Sequence, residues 1–282
     1  MNFEDWYKRS QDQAKDHNIS IAELDWLIVA IAKVERLQLK LRDIDLSGDQ
    51  VLELDGLWQQ RIKNKTPIQY LIGKTYWRDL ELDVSSAVLI PRPETEILID
   101  LAVGMNDPNS DSIWVDLGTG SGAIAMGLAL GIKNSQIYAV DCSFEALAIA
   151  QQNAAKYDLT KHIKFRQGFW FEPLSSLKSQ ITGMVSNPPY IPTSEVNCLD
   201  PVVREHEPHL ALDGGIDGLD CIRNLIQTAP EYLISGGYWL IELMAGQAKT
   251  VRSLLETNGN YQNIQIHLDY DGVERFVSAT LK

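Results

Sequence analysis

Asp116-Leu117-Gly118-Thr119-Gly120-Ser121-Gly122 stands between an apolar run, Ile113–Leu117, and a helix-forming segment, Ala123–Leu130. A short apolar run that closes on a glycine-rich turn and opens a helix is a strand–loop–helix unit. The glycines permit a tight turn and close approach of a ligand to the backbone, while the helix N-terminus offers free N–H groups. A dinucleotide-binding turn would read G-x-G-x-x-G around a pyrophosphate. Here the spacing is G-x-G-x-G, with Asp116 two residues before the first glycine. A carboxylate there repels a pyrophosphate but can receive an ammonium group, directly or through water. That difference favours S-adenosylmethionine over a nicotinamide dinucleotide.

Outward from this loop the chain alternates between strand and helix. Gln136–Val140 reads as a strand, Glu145–Lys156 as a helix, and Ile163–Gln167 and Ile181–Ser186 as further strands. Cys221–Leu233 reads as a helix, Tyr238–Leu243 as a strand and Gln247–Thr257 as a helix. Asn263–Leu268 and Arg275–Thr280, flanking Tyr270-Asp271-Gly272, predict a closing antiparallel hairpin. The alternation implies an α/β fold, a doubly wound and mainly parallel sheet with ligands at the carboxyl ends of its strands. Asp141 ends the second strand, about 20 residues beyond the glycine loop, where a carboxylate can accept hydrogen bonds from both ribose hydroxyls.

Toward the N-terminus the pattern is helical. Ser20 with Glu23 and Ser47 with Gln50 read as capping boxes. Leu24, Leu27, Ile28, Ile31 and Val34 follow the first, and Val51, Leu54, Leu57, Trp58 and Ile62 follow the second, all at helical spacing. These stripes are core-packing signals and predict a small bundle. Tyr76–Val84 predicts a hairpin, and Pro91 and Pro93 interrupt regular structure before a helix starting near Glu94. A domain boundary is placed near residue 85.

The formal charge of −13 on 282 residues argues against a protein that grips nucleic acid through its phosphates. Cys142, Cys198 and Cys221 are scattered without a CxxC pair, so neither a disulfide framework nor a structural zinc site is expected. His206 and His209 flank Glu207, but no third distant ligand stands out, and no metal is assigned. The first residues carry no leader pattern, and the apolar stretch Leu24–Val34 is broken by Asp25 and Lys33. A soluble, cytoplasmic protein is the expectation.

Asn187-Pro188-Pro189-Tyr190 follows the fourth strand, at the expected ligand edge of the sheet. The chemistry that fits it is methylation of a planar nitrogen. An amide nitrogen is a poor nucleophile because its lone pair is delocalised into the carbonyl. The side-chain oxygen of Asn187 can accept one N–H and the backbone carbonyl of Pro188 the other, letting the nitrogen pyramidalise toward a sulfonium methyl. The prolines fix those acceptors in advance, and Tyr190 can stack on the planar group.

Taken with Pro67-Ile68-Gln69-Tyr70-Leu71-Ile72-Gly73, Leu89-Ile90-Pro91-Arg92-Pro93-Glu94-Thr95-Glu96, Glu207-Pro208, Ala211-Leu212 and Asp213–Leu219, these motifs span nearly the whole chain. In them the chain resembles the methyltransferases that modify the glutamine of the Gly-Gly-Gln loop of peptide chain release factors. Asn-Pro-Pro-Tyr is shared with adenine-amino methyltransferases; Leu-Ile-Pro-Arg-Pro-Glu-Thr-Glu joined to a helical module is much more specific. The resemblance implies a seven-stranded class I S-adenosylmethionine-dependent methyltransferase sheet. It divides the chain into an N-terminal helical substrate-recognition domain over 1–75, a hairpin linker over 76–92 and a methyltransferase domain over 93–282.

The resemblance also implies site residues. Gly118, Thr119, Gly120, Ser121, Gly122, Asp141 and Trp170 match cofactor-contacting positions, joined by Asp116 and by Asn187 at the methyl donor. Asn187, Pro188, Pro189 and Tyr190 match the glutamine site, with Arg92 and Glu94 in a loop near it. The implied partners are release factors, with S-adenosylhomocysteine as coproduct, no stable nucleic-acid complex, no membrane and a monomeric enzyme. One departure concerns adenine. Phe169 stands just before Trp170, where relatives carry a small or acidic residue, and cannot accept a hydrogen bond from an adenine amino group. Stacking and backbone contacts are expected to hold the base instead. Two other readings compete: an adenine-amino methyltransferase, disfavoured by the acidic composition, and a noncatalytic module, disfavoured by the intact acceptor motif.

Overall fold

A computed structural model of the chain describes residues 2–282. It divides into two compact units, one running to Lys74 and including Asp200–His206, the other comprising Thr75–Leu199 and Glu207–Lys282.

The first unit contains α1 (Phe3–Asp16), α2 (Ile21–Ala32), α3 (Arg36–Leu41), α4 (Gly48–Lys63) and α5 (Ile68–Ile72). Leu24, Leu27 and Ile28 of α2 meet Trp6 of α1 and Val51, Leu54 and Trp58 of α4 in one apolar core, as their spacing predicts. The capping box at Ser47 and Gln50 forms. At Ser20 it does not. The Ser20 hydroxyl accepts from the Ala22 N–H, and Glu23 makes a two-pronged ion pair with Arg61 of α4, at 2.5 and 3.1 Å. A charge-assisted contact across two helices outcompetes a local cap. The His206 ring lies 2.7 Å from the Asn64 carbonyl oxygen in the same unit.

The second unit begins with a hairpin, β1 (Lys74–Trp77) and β2 (Leu80–Asp83). A 3₁₀ turn at Pro93–Thr95 leads into α6 (Glu96–Met105), so the helix expected near Glu94 starts two residues later. There follow β3 (Ser112–Leu117), α7 (Ala123–Gly131), β4 (Ser135–Asp141), α8 (Phe144–Lys156), β5 (Ile163–Gln167) and β6 (Ile181–Ser186). The short helices α9 (Thr193–Val196) and α10 (Pro201–Arg204), the latter within the first unit, precede α11 (Asp220–Thr228). β7 (Leu233–Glu242), α12 (Ala248–Asn258), β8 (Tyr261–Leu268) and β9 (Glu274–Leu281) complete the chain. The helix expected to reach Leu233 stops at Thr228. Pro230 cannot sit in a helix interior and occupies a 3₁₀ turn instead.

The seven strands are ordered β5-β4-β3-β6-β7-β9-β8; the first five are parallel, and β9 runs antiparallel to both of its neighbours. The chain moves outward from β3 to β5 and then returns to β6 on the other side of β3. That reversal opens a crevice at the carboxyl ends of β3 and β6. Both faces are covered. Val115, Leu117, Met184, Trp239 and Ile241 face one core with α11 and α12, while Trp114, Val185 and Leu240 face another with α6 and α7.

The hairpin residues Trp77, Leu80 and Leu82 belong to that second core. Asn153 of α8 joins the hairpin to the glycine loop: its amide nitrogen donates to Asp83 O and Ser121 O, and its oxygen accepts from Asp83 N. The segment expected as a linker is thus packed into the sheet unit.

Gly183 pairs with Trp114 in adjacent strands, and a Cβ at Gly183 would lie 2.4 Å from the Trp114 ring. Because the indole is fully buried, it has no room to retreat. Gly183→Ala is expected to destabilise this unit by about 1–3 kcal/mol, read as a lower midpoint in chemical denaturation. An unchanged midpoint would show that the strand pair is looser than described.

Candidate active site

The glycine loop crosses from β3 to α7 through three left-handed positions, Gly118 (φ +81°), Gly120 (φ +55°) and Gly122 (φ +85°). A Cβ at Gly122 would also press on Ala150 at 3.1 Å. Thr119 donates its hydroxyl to Asp116 Oδ2 at 2.5 Å, and the Ala125 N–H donates to the same oxygen at 3.0 Å. Asp116 is therefore folded beneath the loop it precedes and is fully buried, with only Oδ1 lacking a protein donor. Burial pushes its carboxyl up to about 7, and the two hydrogen bonds oppose that rise. Asp116, expected beside a ligand ammonium, braces the loop through Oδ2 and keeps Oδ1 without a protein donor.

Asp141 ends β4 beside this loop. Its Oδ2 accepts from Gly120 N at 2.8 Å and its Oδ1 from Ser143 N at 2.9 Å. Each oxygen keeps a second lone pair for a hydroxyl donor. Gly118–Ser121, Asp141, Phe169, Trp170 and Asn187 line a cavity of about 510 Å3, within the size range of small-molecule sites. Trp170 adopts φ +50°, and a Cβ on Gly118 would sit 3.6 Å from its ring, so the loop and the indole lie in close contact. Phe169 is exposed at the wall, available for stacking.

Asn187 emerges from the end of β6 on the same cavity wall. Its Nδ2 donates to Thr95 Oγ1 at 3.2 Å, while its Oδ1 has no hydrogen-bond partner among the described residues. Pro189 also lines the cavity. Tyr190 turns away: its hydroxyl donates to the buried Glu242 at 3.3 Å, and burial raises its pKa above the ordinary phenol range. The ring expected to stack on the acceptor thus anchors the loop from behind. Gln247, at the start of α12, donates to the Tyr190 carbonyl at 2.9 Å. From the other side Gly214 and Gly218 lie against the same backbone, where added Cβ atoms would sit 2.8 Å from Pro189 O and 2.2 Å from Tyr190 O. Only glycine permits this wrapping, which accounts for Gly214 and Gly218.

Arg92 and Glu94 stand behind the site. Arg92 donates to the buried Glu207 at 2.7 Å and its carbonyl accepts from Trp77 Nε1 at 2.9 Å, which pins the proline-rich loop. Glu94 is half-buried and acts on Glu242 through its charge. Thr95, Glu242 and Gln247 are neighbours of the site to which the sequence alone assigns no role. A signal for Glu242 was present: it ends an apolar strand at the ligand edge, as Asp141 does.

Burial raises the Glu207 carboxyl while Arg92 lowers it, and the balance lies above the ordinary value. Removing Arg92 leaves burial opposed only by a backbone hydrogen bond at Ile90, so the ionised form becomes less favourable. Arg92→Ala is therefore expected to lower thermal stability relative to wild type at pH ~8 and by less at pH ~5, because a protonated Glu207 no longer needs the guanidinium. A deficit that does not change across that range would contradict the pairing.

The family model described as "Methyltransferase domain" matches residues 108–261. The chain is 48% identical to the release factor glutamine methyltransferase of Synechocystis sp., over 98% of this chain and 95% of that protein. It is 46% identical to the release factor glutamine methyltransferase of Thermosynechococcus vestitus, over 94% and 93% respectively. Among solved structures, the hMettl16 catalytic domain in complex with the MAT2A 3'UTR hairpin 6 superposes with a TM-score of 0.58 at 11% identity, covering 84% of this chain and 83% of that one. That last likeness is one of fold. Near-full-length identity at this level, together with the domain match, places the chain in the release factor glutamine methyltransferase family.

Proposed function

We propose that this protein transfers a methyl group from S-adenosylmethionine to the side-chain amide nitrogen of the glutamine in the Gly-Gly-Gln motif of peptide chain release factors. It acts in the cytoplasm, in support of translation termination. The observation that carries the reading is the commitment of Asn187 Nδ2 to Thr95, which leaves Oδ1 unpartnered on a cavity shared with the glycine loop and Asp141.

The residues present fit the methyl donor. The left-handed glycines bring backbone to the cavity wall, Asp141 keeps lone pairs for ribose hydroxyls, and Trp170 and Phe169 offer aromatic faces to a purine. S-adenosylmethionine, when bound, supplies an electrophilic methyl on a sulfonium sulfur and leaves as the neutral thioether S-adenosylhomocysteine. Asn187 Oδ1 and the Pro188 carbonyl each accept one N–H of the incoming amide. Both are held before substrate arrives, so little reorganisation accompanies the reaction. Held by two acceptors, the nitrogen turns its lone pair out of conjugation and toward the methyl. Once methylated it is cationic and acidic, so water takes the displaced proton and no strong general base is required. The N-terminal helices supply recognition surface, because a tripeptide loop alone offers too little contact for specificity.

Two substitutions separate the roles. Asn187→Ala is expected to lower labelled methyl transfer to release factor by about 10²-fold or more, with cofactor affinity by calorimetry largely kept. Asp141→Ala is expected to raise the cofactor Kd by about 10-fold or more. Near-normal transfer in the first variant would sink the acceptor assignment, and an unchanged Kd in the second would sink the ribose assignment.

A further inference from the structure

Asn187 can serve an amide acceptor only if its oxygen, and not its nitrogen, faces the substrate. The two ends of an asparagine amide have nearly the same shape, so packing alone discriminates them poorly. Hydrogen bonding decides the matter. Thr95 carries a single hydroxyl hydrogen, and it donates that hydrogen to Glu242 Oε2 at 2.6 Å. Its oxygen then has only lone pairs for Asn187, and lone pairs bind the Nδ2 end, seen at 3.2 Å. The other oxygen of Glu242 accepts from the Tyr190 hydroxyl at 3.3 Å. A carboxylate that receives two donors and makes no donation is the form that sets this polarity.

We infer that Thr95 and Glu242 are positioning residues, a relay in which the ionised Glu242 carboxylate fixes the Thr95 hydroxyl and thereby the amide orientation of Asn187. The inference rests on the proposed methylation of a glutamine amide at Asn187. Protonated Glu242 could donate to Thr95 instead. The Thr95 hydrogen would then be free for Asn187 Oδ1, and the amide would turn its nitrogen toward the substrate, donor against donor. The relay thus makes activity depend on the charge of one buried group.

The charged and titratable surroundings of Glu242 are few. Glu94, on the turn that carries Thr95, raises its pKa, while Arg275 of β9 lowers it. Arg275 Nε is paired with Asp269 at 2.6 Å. Tyr190 donates from the loop after β6, and the charge of Arg92 acts on Tyr190. Burial dominates this set and pushes Glu242 up to about 7. Activity carried by the ionised form rises with pH through that region and is lost below it.

The test is steady-state methyl transfer to release factor against pH, with wild type, Thr95→Val, Thr95→Ser and Glu242→Gln, each checked for native folding by cofactor titration. Thr95→Val is expected to lower kcat by about 10²-fold, to leave KM for release factor and Kd for cofactor within a few-fold, and to lose the ionisation near pH 7. Thr95→Ser, which keeps the hydroxyl, is expected to recover most of the rate and the ionisation. Glu242→Gln is expected to lose the ionisation and to fall in kcat. An active wild type beside a Thr95→Val enzyme with unchanged kcat, or with the same ionisation, would overturn the relay alone. A wild type that transfers no methyl to release factor would overturn the acceptor reading and the relay with it.

Discussion

β3 and β6 lie side by side in parallel, with Leu117 opposite Ser186, and the Ser186 hydroxyl donates to the Leu117 carbonyl at 2.6 Å. That register brings two loops distant in sequence to one crevice. The glycine loop leaves β3 and the Asn-Pro-Pro-Tyr loop leaves β6 at the same level, because a parallel pair ends both strands on the same edge. A register slip would turn every inward side chain of β6 outward and separate the loops. Trp114 and Gly183 guard against such a slip, since the indole fills the room that a missing side chain leaves. The meeting of the glycine loop and the Asn-Pro-Pro-Tyr loop is therefore a consequence of one strand pairing.

Around that crevice the fold buries carboxylates and assigns each a different task. Asp116 ties the glycine loop to the first turn of α7. Glu207 holds the proline-rich loop through Arg92. Glu242 collects the hydroxyls of Thr95 and Tyr190 behind Asn187. Burial raises the pKa of all three. The energetic logic is that a desolvated carboxylate holds its donors firmly, because losing them would leave a buried charge uncompensated. Rigid loops follow, and rigidity is what preorganised acceptors for a weak nucleophile require.

Much of this was legible in the sequence, for identifiable reasons. Gly118 and Asn187 sit in local motifs whose geometry is set by a few adjacent residues. Leu24, Leu54 and Trp58 fall on periodic stripes, and the strands of the sheet are short apolar runs between turns. What escaped depends on separation or on burial. Thr95 and Glu242 lie 147 positions apart, and Arg92 and Glu207 lie 115 apart, so no local pattern announces either pair. The motif names Tyr190 but not the partner of its hydroxyl, which is Glu242. Glu23 was read as a cap because its partner Arg61 is on another helix. The same rule that singled out Asp141, a carboxylate ending a strand at the ligand edge, applies equally to Glu242.

The central claim is that this crevice methylates one amide nitrogen of one glutamine. Tandem mass spectrometry of release factor, after incubation with enzyme and S-adenosylmethionine, tests it most directly, with a glutamine-to-alanine release factor, DNA and RNA as parallel acceptors. A single added methyl is expected, located on the side chain of the Gly-Gly-Gln glutamine and absent from the other three acceptors. Methyl transferred to nucleic acid, or to release factor lacking that glutamine, would contradict it.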